Sequence, residues 1–582
     1  MEEIRRSLLS KKDDPKAFFD ELHEFWWGEY QAETKTLPAL ILSLNDEANI
    51  NLCLMASLAV EEGFSPFNVT HIFENVLPEM SLNVHSVMGL IRSLNTSMQG
   101  DMAAYTQFAP FRGLVSKQPG FARDLLNSLI DEGEPYTTDY IANLYRDFAK
   151  GQEHEIQSEL SGLIGHSSEN VLMAVADALG GLDYGSNDNR ELVVKSIELL
   201  EELENKGSDK VTRIVVHAYK SLAPYCNSLI ERLIQLSTRK SPEIQYAISD
   251  ILFRLEPAEQ EEVWARKMLL NLTEVSPDHK GIVDHLDWVL HRLITKNGNF
   301  ALVEQFLTLW ILRDEYIPRK YKIGDLFNST IPDIIQNREE FEGMLTRLLN
   351  HDDWKMHETA AEILSYCYVH KIQGIKLDRH ELKKMSHSDC LYVCRKILGY
   401  VINPDQLCSL CFSILDKSPQ DKKIKGLVYS VFKNHIGENY PGKVIDFMKD
   451  ISTHTKSKHR KLLVGQLVRD IEADENVRNG LPPLKEMNPA RQKYQRIMYE
   501  KQVKMSQEME HAQKDSIISQ LATKIYLKHG TGSFHLAGDQ YSEVSKLGAY
   551  STYMELPKSE VMHPVEAAME RFGFRIAKRG NE

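Results

Sequence analysis

Apolar residues recur every three to four positions along almost the whole chain, interrupted by short polar, glycine or proline punctuation, and this period predicts helix after helix. Strand-like alternation is absent until the C-terminal tail. Four segments carry one pattern in register. Val171, Ala174, Val175, Ala178, Leu179 and Leu182 define it, and Val211, Ile214, Val215, Ala218 and Leu222 repeat its offsets. So do Ile244, Ala247, Ile248, Ile251, Leu252 and Leu255, then Met356, Thr359, Ala360, Ile363, Leu364 and Cys367. The first positions lie 40, 33 and 112 residues apart, the last gap being about three units of the others, which predicts one helical hairpin per ~40 residues. Each copy starts at a polar residue (Ser168, Ser208, Ser241, Asp352) placed to accept hydrogen bonds from first-turn amides. A small residue near each middle lets helices approach closely.

These copies resemble the second helices of HEAT and armadillo-like α-solenoids, most clearly between residues 160 and 370 and over a span from about 36 to 475. The resemblance implies an all-α fold: an α-solenoid of HEAT-like helical hairpins in which neighbours bury one another's apolar stripes. It also implies an extended surface suited to a protein partner.

The flanks of the repeats read differently. Within residues 1–35, Phe18, Phe19, Leu22, Phe25, Trp26 and Tyr30 share a helical stripe and predict an N-terminal capping helix for a solenoid over 36–475. Gly480, Pro482, Pro483 and Pro489 break the helical pattern and mark a linker over 476–489. Residues 490–528 contain no Pro or Gly and are rich in helix formers, which predicts one long helix. From 529 to 582, Gly530, Gly532, Gly538 and Gly548 punctuate short pieces, predicting a small irregular or short-strand docking tail with a last helix over 564–573.

Bulk properties narrow the setting. A hydrophobic fraction of 42%, a charged fraction of 26% and a mean hydropathy of -0.36 describe an ordinary globular protein. No apolar run approaches the ~18 residues a membrane span needs, and the start, MEEIRRSLLSKKDDPKAFF, lacks the apolar core of a secretory signal. Seven cysteines are too few and too odd a set for a disulfide framework, so the expected location is cytoplasmic, away from membranes. The net charge of -14 hides an asymmetry: residues 1–370 carry -24 and residues 371–582 carry +10. The distal half is therefore the part able to attract polyanions.

Chemistry-bearing patterns are sparse. Cys390, Cys394, Cys408 and Cys411 form C-x3-C and C-x2-C pairs that nominally offer four zinc ligands, but their surroundings are apolar and helical, as for core cysteines. His357 and Glu358 start an HE pair whose second imidazole position holds Ala361. No phosphate-binding glycine loop with its lysine and no nucleophile elbow occurs, so no catalytic residue, cofactor or metal is assigned.

Two constellations remain. Asp284, Trp288 and His291 lie on one side of a helix opposite Leu286, Val289, Leu290 and Leu293, and form a candidate partner-binding group with an exposed aromatic anchor. Their carboxylate and imidazole, two turns apart, are candidates to share a proton or an ion. Lys456, Lys458, His459, Arg460 and Lys461 cluster where a helix begins and form a candidate polyanion-binding group. The favoured function is a non-catalytic scaffold holding a protein partner, with a nucleic-acid-binding solenoid and an enzyme with an unrecognised site as alternatives. Oligomeric state is not legible in the sequence.

Overall fold

The computed structural model describes residues 2–580 apart from 33–35, 48–49, 75, 100, 102, 186–189, 482–490, 515–525, 530–531, 538–539, 542–544 and 547–556. The chain divides into two compact units, Met1–Gln336 and Asn337–Glu582.

In the first unit, α1 (Pro15–Ala32) buries Phe18, Phe19 and Leu22 and packs against α2 (Leu52–Glu61), which packs against α3 (Val84–Met98). Trp26 stacks on Tyr30 and His71 at ring separations of 5.5 Å, while Tyr30 itself stays exposed. Two layers then build up. One contains α4 (Pro119–Glu132) and, after α5 (Thr138–Ala149), α6 (Glu153–Leu163). The chain continues through α7 (Glu169–Gly180), α8 (Arg190–Lys206), α9 (Asp209–Leu222), α10 (Ser228–Leu236) and α11 (Pro242–Arg254). It ends the unit with α12 (Val263–Asn271), α13 (Lys280–Thr295), α14 (Phe300–Leu312) and α15 (Thr330–Gln336).

Packing follows chain order. The second helices form one ladder, α5 on α7, α7 on α9, α9 on α11, α11 on α13 and α13 on α15, and the first helices pair behind them as α6 with α8, α10 with α12, and α12 with α14. The repeated stripes fill the space between the layers: Val171, Ala174, Val175, Ala178 and Leu179 are buried, as are Ile244, Ala247, Ile248, Ile251 and Leu252. Gly180 lies so close to α9 that a Cβ there would stand 2.9 Å from the Ala218 Cα, so small residues do set the approach of neighbouring rungs. Polar bonds repeat with the period: Gln157 donates to the Leu192 carbonyl 35 residues on, Asn170 to Gly133 across 37, and Arg313 to Thr273 across 40. This is an all-α solenoid, each hairpin completed by its neighbours.

The expected capping serines act otherwise. Ser168 Oγ donates to the Gly133 carbonyl, and the Ser208 and Ser241 hydroxyls are buried without a hydrogen-bond partner. In the fourth copy Asp353, not Asp352, takes the cap position, accepting from the Lys355 amide at 2.8 Å. The backbone conformation at all three serines is extended, as a cap requires, but none of their hydroxyls accepts a first-turn amide.

The second unit repeats the scheme with α16 (Arg338–Leu349), α17 (Trp354–Val369), α18 (Arg379–Lys384), α19 (His387–Tyr400), α20 (Pro404–Ser413), α21 (Lys422–Val431), α22 (Pro441–His454) and α23 (Lys458–Asn479). Here α17, α19, α21 and α23 form the ladder of second helices. The expected linker residues 476–479 still belong to α23, because no residue before Gly480 interrupts its hydrogen bonds; residues 482–489 lie outside the described residues.

A further helix, α24 (Arg491–Lys514), covers most of the expected long helix, whose residues 515–525 lie outside the described residues. That helix does not reach residue 528, because β1 (Tyr526–His529) pairs antiparallel with β2 (Gly532–Ala537), which also pairs with β3 (Gln540–Tyr541) and β4 (Ser545–Lys546). The chain closes with α25 (Lys558–Met562) and α26 (Pro564–Ile576), which packs on α19.

Candidate partner-binding face

The outward side of the first unit's second-helix ladder gathers aromatic, imidazole and charged side chains. It begins on α9, where the Arg213 guanidinium lies 4.6 Å above the Tyr246 ring of α11 and pairs with Glu243 at 3.1 Å. Tyr246 and Phe253, two turns apart on α11, both meet the His285 ring of α13 at 5.1 Å. Ser249 Oγ lies 3.1 Å from His285 Nδ1. His217 stands 4.0 Å from Asp250, whose carboxylate also holds Arg254 at 2.8 Å. Burial lowers the pKa of both His217 and His285 below the ordinary imidazole value, with Asp250 opposing the shift. Both therefore lean towards the neutral, ring-stacking form.

Trp288 and His291 meet edge to face at 5.3 Å, and Trp288 is half exposed at 50%. Asp284 is exposed on the same helix but is not the carboxylate that His291 uses. The His291 Nδ1 lies 2.5 Å from Asp333 Oδ2 on α15. Seven residues along a helix is ~10 Å, too far for direct contact, whereas the next rung supplies a carboxylate alongside. Asp333 stands 42 residues beyond His291, one repeat on, so the repeat period was the only sequence signal that pointed to it. Two further residues carry the face without any sequence signal. Arg292 lies 5.5 Å from the Phe253 ring while donating to the Leu255 carbonyl at 3.2 Å, and buried Asp287 fixes the start of α15.

The basic group sits at the start of α23 in the second unit. Lys456, Lys458, His459 and Lys461 are exposed, but Arg460 is tied to Asp416 by an ion pair. Ser457 caps the helix by accepting from the Arg460 amide at 3.4 Å. The group therefore offers three lysines and an imidazole, with the arginine already engaged.

The four cysteines of the C-x3-C and C-x2-C pairs are buried on α19 and α20. A hydrogen bond with Cys394 and burial raise the Cys411 thiol well above its ordinary range, and burial pushes Cys390 up to about 12. Such thiols are packing groups rather than ready thiolates. Among the described residues, no three His, Cys, Asp or Glu side chains converge in a metal-binding cluster. No described helix is long and apolar enough to cross a membrane.

No protein-family model matches the chain, and no curated protein matches it. Among solved structures it is similar to an engineered protein at 14% identity, covering 75% of this chain and 99% of that one with a TM-score of 0.24. A second structure, concerning a phosphorylation switch that controls the interaction between cadherin and beta-catenin, matches at 14% identity over 75% of this chain and 98% of that chain, TM-score 0.24. Kap121p matches at 13% identity over 78% of this chain and 49% of its own, TM-score 0.25. At such scores no residue role carries across, and the solenoid assignment stands on the chain's own ladder of helices.

Proposed function

We propose that this chain is a non-catalytic interaction protein that holds a protein partner on the outward face of its second-helix ladder. One observation carries the reading: on adjacent rungs Tyr246 and Phe253 meet the His285 ring, and one turn further along α13 Trp288 meets His291, with Trp288 half exposed. Large rings fixed by neighbours contribute contact area at low entropic cost, which is what interface anchors require. Seven free thiols suit a reducing compartment such as the cytoplasm. The test is quantitative co-purification from native extract followed by affinity measurement with the recovered partner. Trp288→Ala is expected to weaken binding by at least about tenfold, the loss typical of a central anchor, with thermal stability unchanged. Equal affinity of the two proteins would remove the face from the interface.

A second reading, polyanion binding at Lys456, Lys458, His459 and Lys461, is favoured by their shared exposure at one helix start. It requires nucleic-acid affinity that falls steeply with salt and weakens on charge reversal of the three lysines.

A further inference from the structure

Helix α26 is held by one side, on which the Phe574 ring meets His435 edge to face at 5.1 Å beside several charged contacts. Glu570 pairs with His435 at 2.9 Å, and Arg575 Nε donates to the Gly399 carbonyl at 2.7 Å. Lys396 Nζ donates to the carbonyls of Arg575 at 2.5 Å and Ala577 at 2.9 Å, and just beyond the helix Arg579 pairs with Asp352 at 2.8 Å and Asp389 at 2.5 Å. Ala567 is its one buried residue. The opposite side carries Val565, Met569, Phe572 and Ile576, exposed at 72%, 70%, 60% and 59%. Helices of folded domains ordinarily turn such a stripe inward. This one is already docked through its other side, with its stripe facing out, which marks a binding surface.

We propose that the stripe is a homodimer contact, α26 of one copy lying antiparallel against α26 of another. The positions 565, 569, 572 and 576 are spaced four, three and four, so the pattern reads the same from either end. Two-fold antiparallel packing then sets Val565 of one copy against Ile576 of the other, and Met569 against Phe572, as alternating layers of a short coiled coil. Charge agrees with this direction. Exposed Glu566 lies in the first turn and exposed Lys578 just past the last, so antiparallel packing brings opposite signs together, whereas parallel packing brings like signs together. Gly573 flanks the seam with no atom within 4 Å of where a Cβ would stand, leaving room for a neighbouring helix.

A lipid surface fits less well, because membrane-lying helices keep their arginines free for headgroups, and Arg575 and Arg579 are spent on protein contacts. A 13-residue helix is ~20 Å long. Such a contact falls short of the roughly 1,200 Å² of a stable interface, so the dimer is weak and dissociates on dilution.

Sedimentation equilibrium of the full chain across a roughly hundredfold concentration series, wide enough to span a ~micromolar Kd, tests this. The apparent mass is expected to rise from 66.8 kDa towards twice that value. Met569→Glu and Phe572→Glu, both at exposed sites and with melting curves unchanged, are expected to remain monomeric throughout. Glu566→Lys should weaken the dimer and adding Lys578→Glu should restore it. A wild-type chain monomeric at every concentration overturns the proposal. So do dimers that survive both glutamate variants, a double charge swap that fails to restore association, or a monomer that instead co-sediments with phosphatidylserine vesicles.

Discussion

Asp287 shows how one side chain joins two repeats. It is 4% exposed, and its carboxylate accepts from the Ser329 amide at 3.0 Å, the Thr330 amide at 3.0 Å and the Thr330 hydroxyl at 2.7 Å, across 42 to 43 residues of sequence. Asp287→Ala strips the acceptor from three donors at once and is expected to cost about 2–4 kcal/mol in chemical denaturation, with Asp287→Asn recovering part of it. A second buried group gives a pH signature. His357 donates through Nε2 to the His351 carbonyl at 2.7 Å, its Nδ1 is buried without a partner, and burial with nearby Lys396 lowers its pKa to about 4. The unfolded chain therefore takes up this proton first as pH falls. Stability is full above about 6.5 and declines towards about 4, by up to ~3 kcal/mol. His357→Gln keeps a donor for the carbonyl and should flatten that decline in urea midpoints measured across the window; an unchanged slope would refute the assignment. In sequence neither residue announces this. Asp287 reads as one more polar position beside Leu286, because its partners lie a full repeat away.

At the scale of helices, the recurring device is a cation from one element closing the carbonyl end of another. Arg292 serves the end of α11, Arg313 donates to the Thr273 carbonyl at 2.8 Å and to that of Val275, and Lys417 reaches the Met385 carbonyl after α18. The last carbonyls of a helix have no partner within it, so a neighbouring guanidinium or ammonium satisfies both the hydrogen bond and the helix dipole. Burial lowers even the Arg313 guanidinium, to about 10. The same logic docks α26 through Arg575 at Gly399, where a Cβ would come within 3.0 Å of the Arg575 amide nitrogen and 3.2 Å of the Phe574 Cβ. Gly399→Ala should accordingly raise amide hydrogen exchange across residues 564–576 while leaving α19 protected; unchanged exchange would show that the contact yields without loss. Helix existence was legible throughout because the 3.6-residue period is local, written into neighbours such as Val171, Ala174 and Val175. The closures and the His291–Asp333 pairing were not, since they join residues some 40 positions apart that no local window compares.

Over the whole molecule, the two units each carry their own buried stripes, and within each the packing runs from one hairpin to the next in chain order. Stability in such a stack is close to a sum of repeat and neighbour terms rather than one all-or-none quantity. Equilibrium unfolding in urea is expected to proceed in more than one step, with Asp287→Ala shifting only the step that contains the first unit's distal repeats; a single transition moved as a whole would contradict this. The order of the stack was visible early because four copies of one stripe recur in the sequence, whereas the strands after α24 became definite only through their pairing, as Gly and single aromatics say little about register. The borrowed cations also govern how the chain can be dissected. A fragment ending at Val275 loses the guanidinium that finishes Thr273 and Val275, while one ending past α14 and Arg313 retains it. Workable cut points thus lie a hairpin later than the helix boundaries alone suggest.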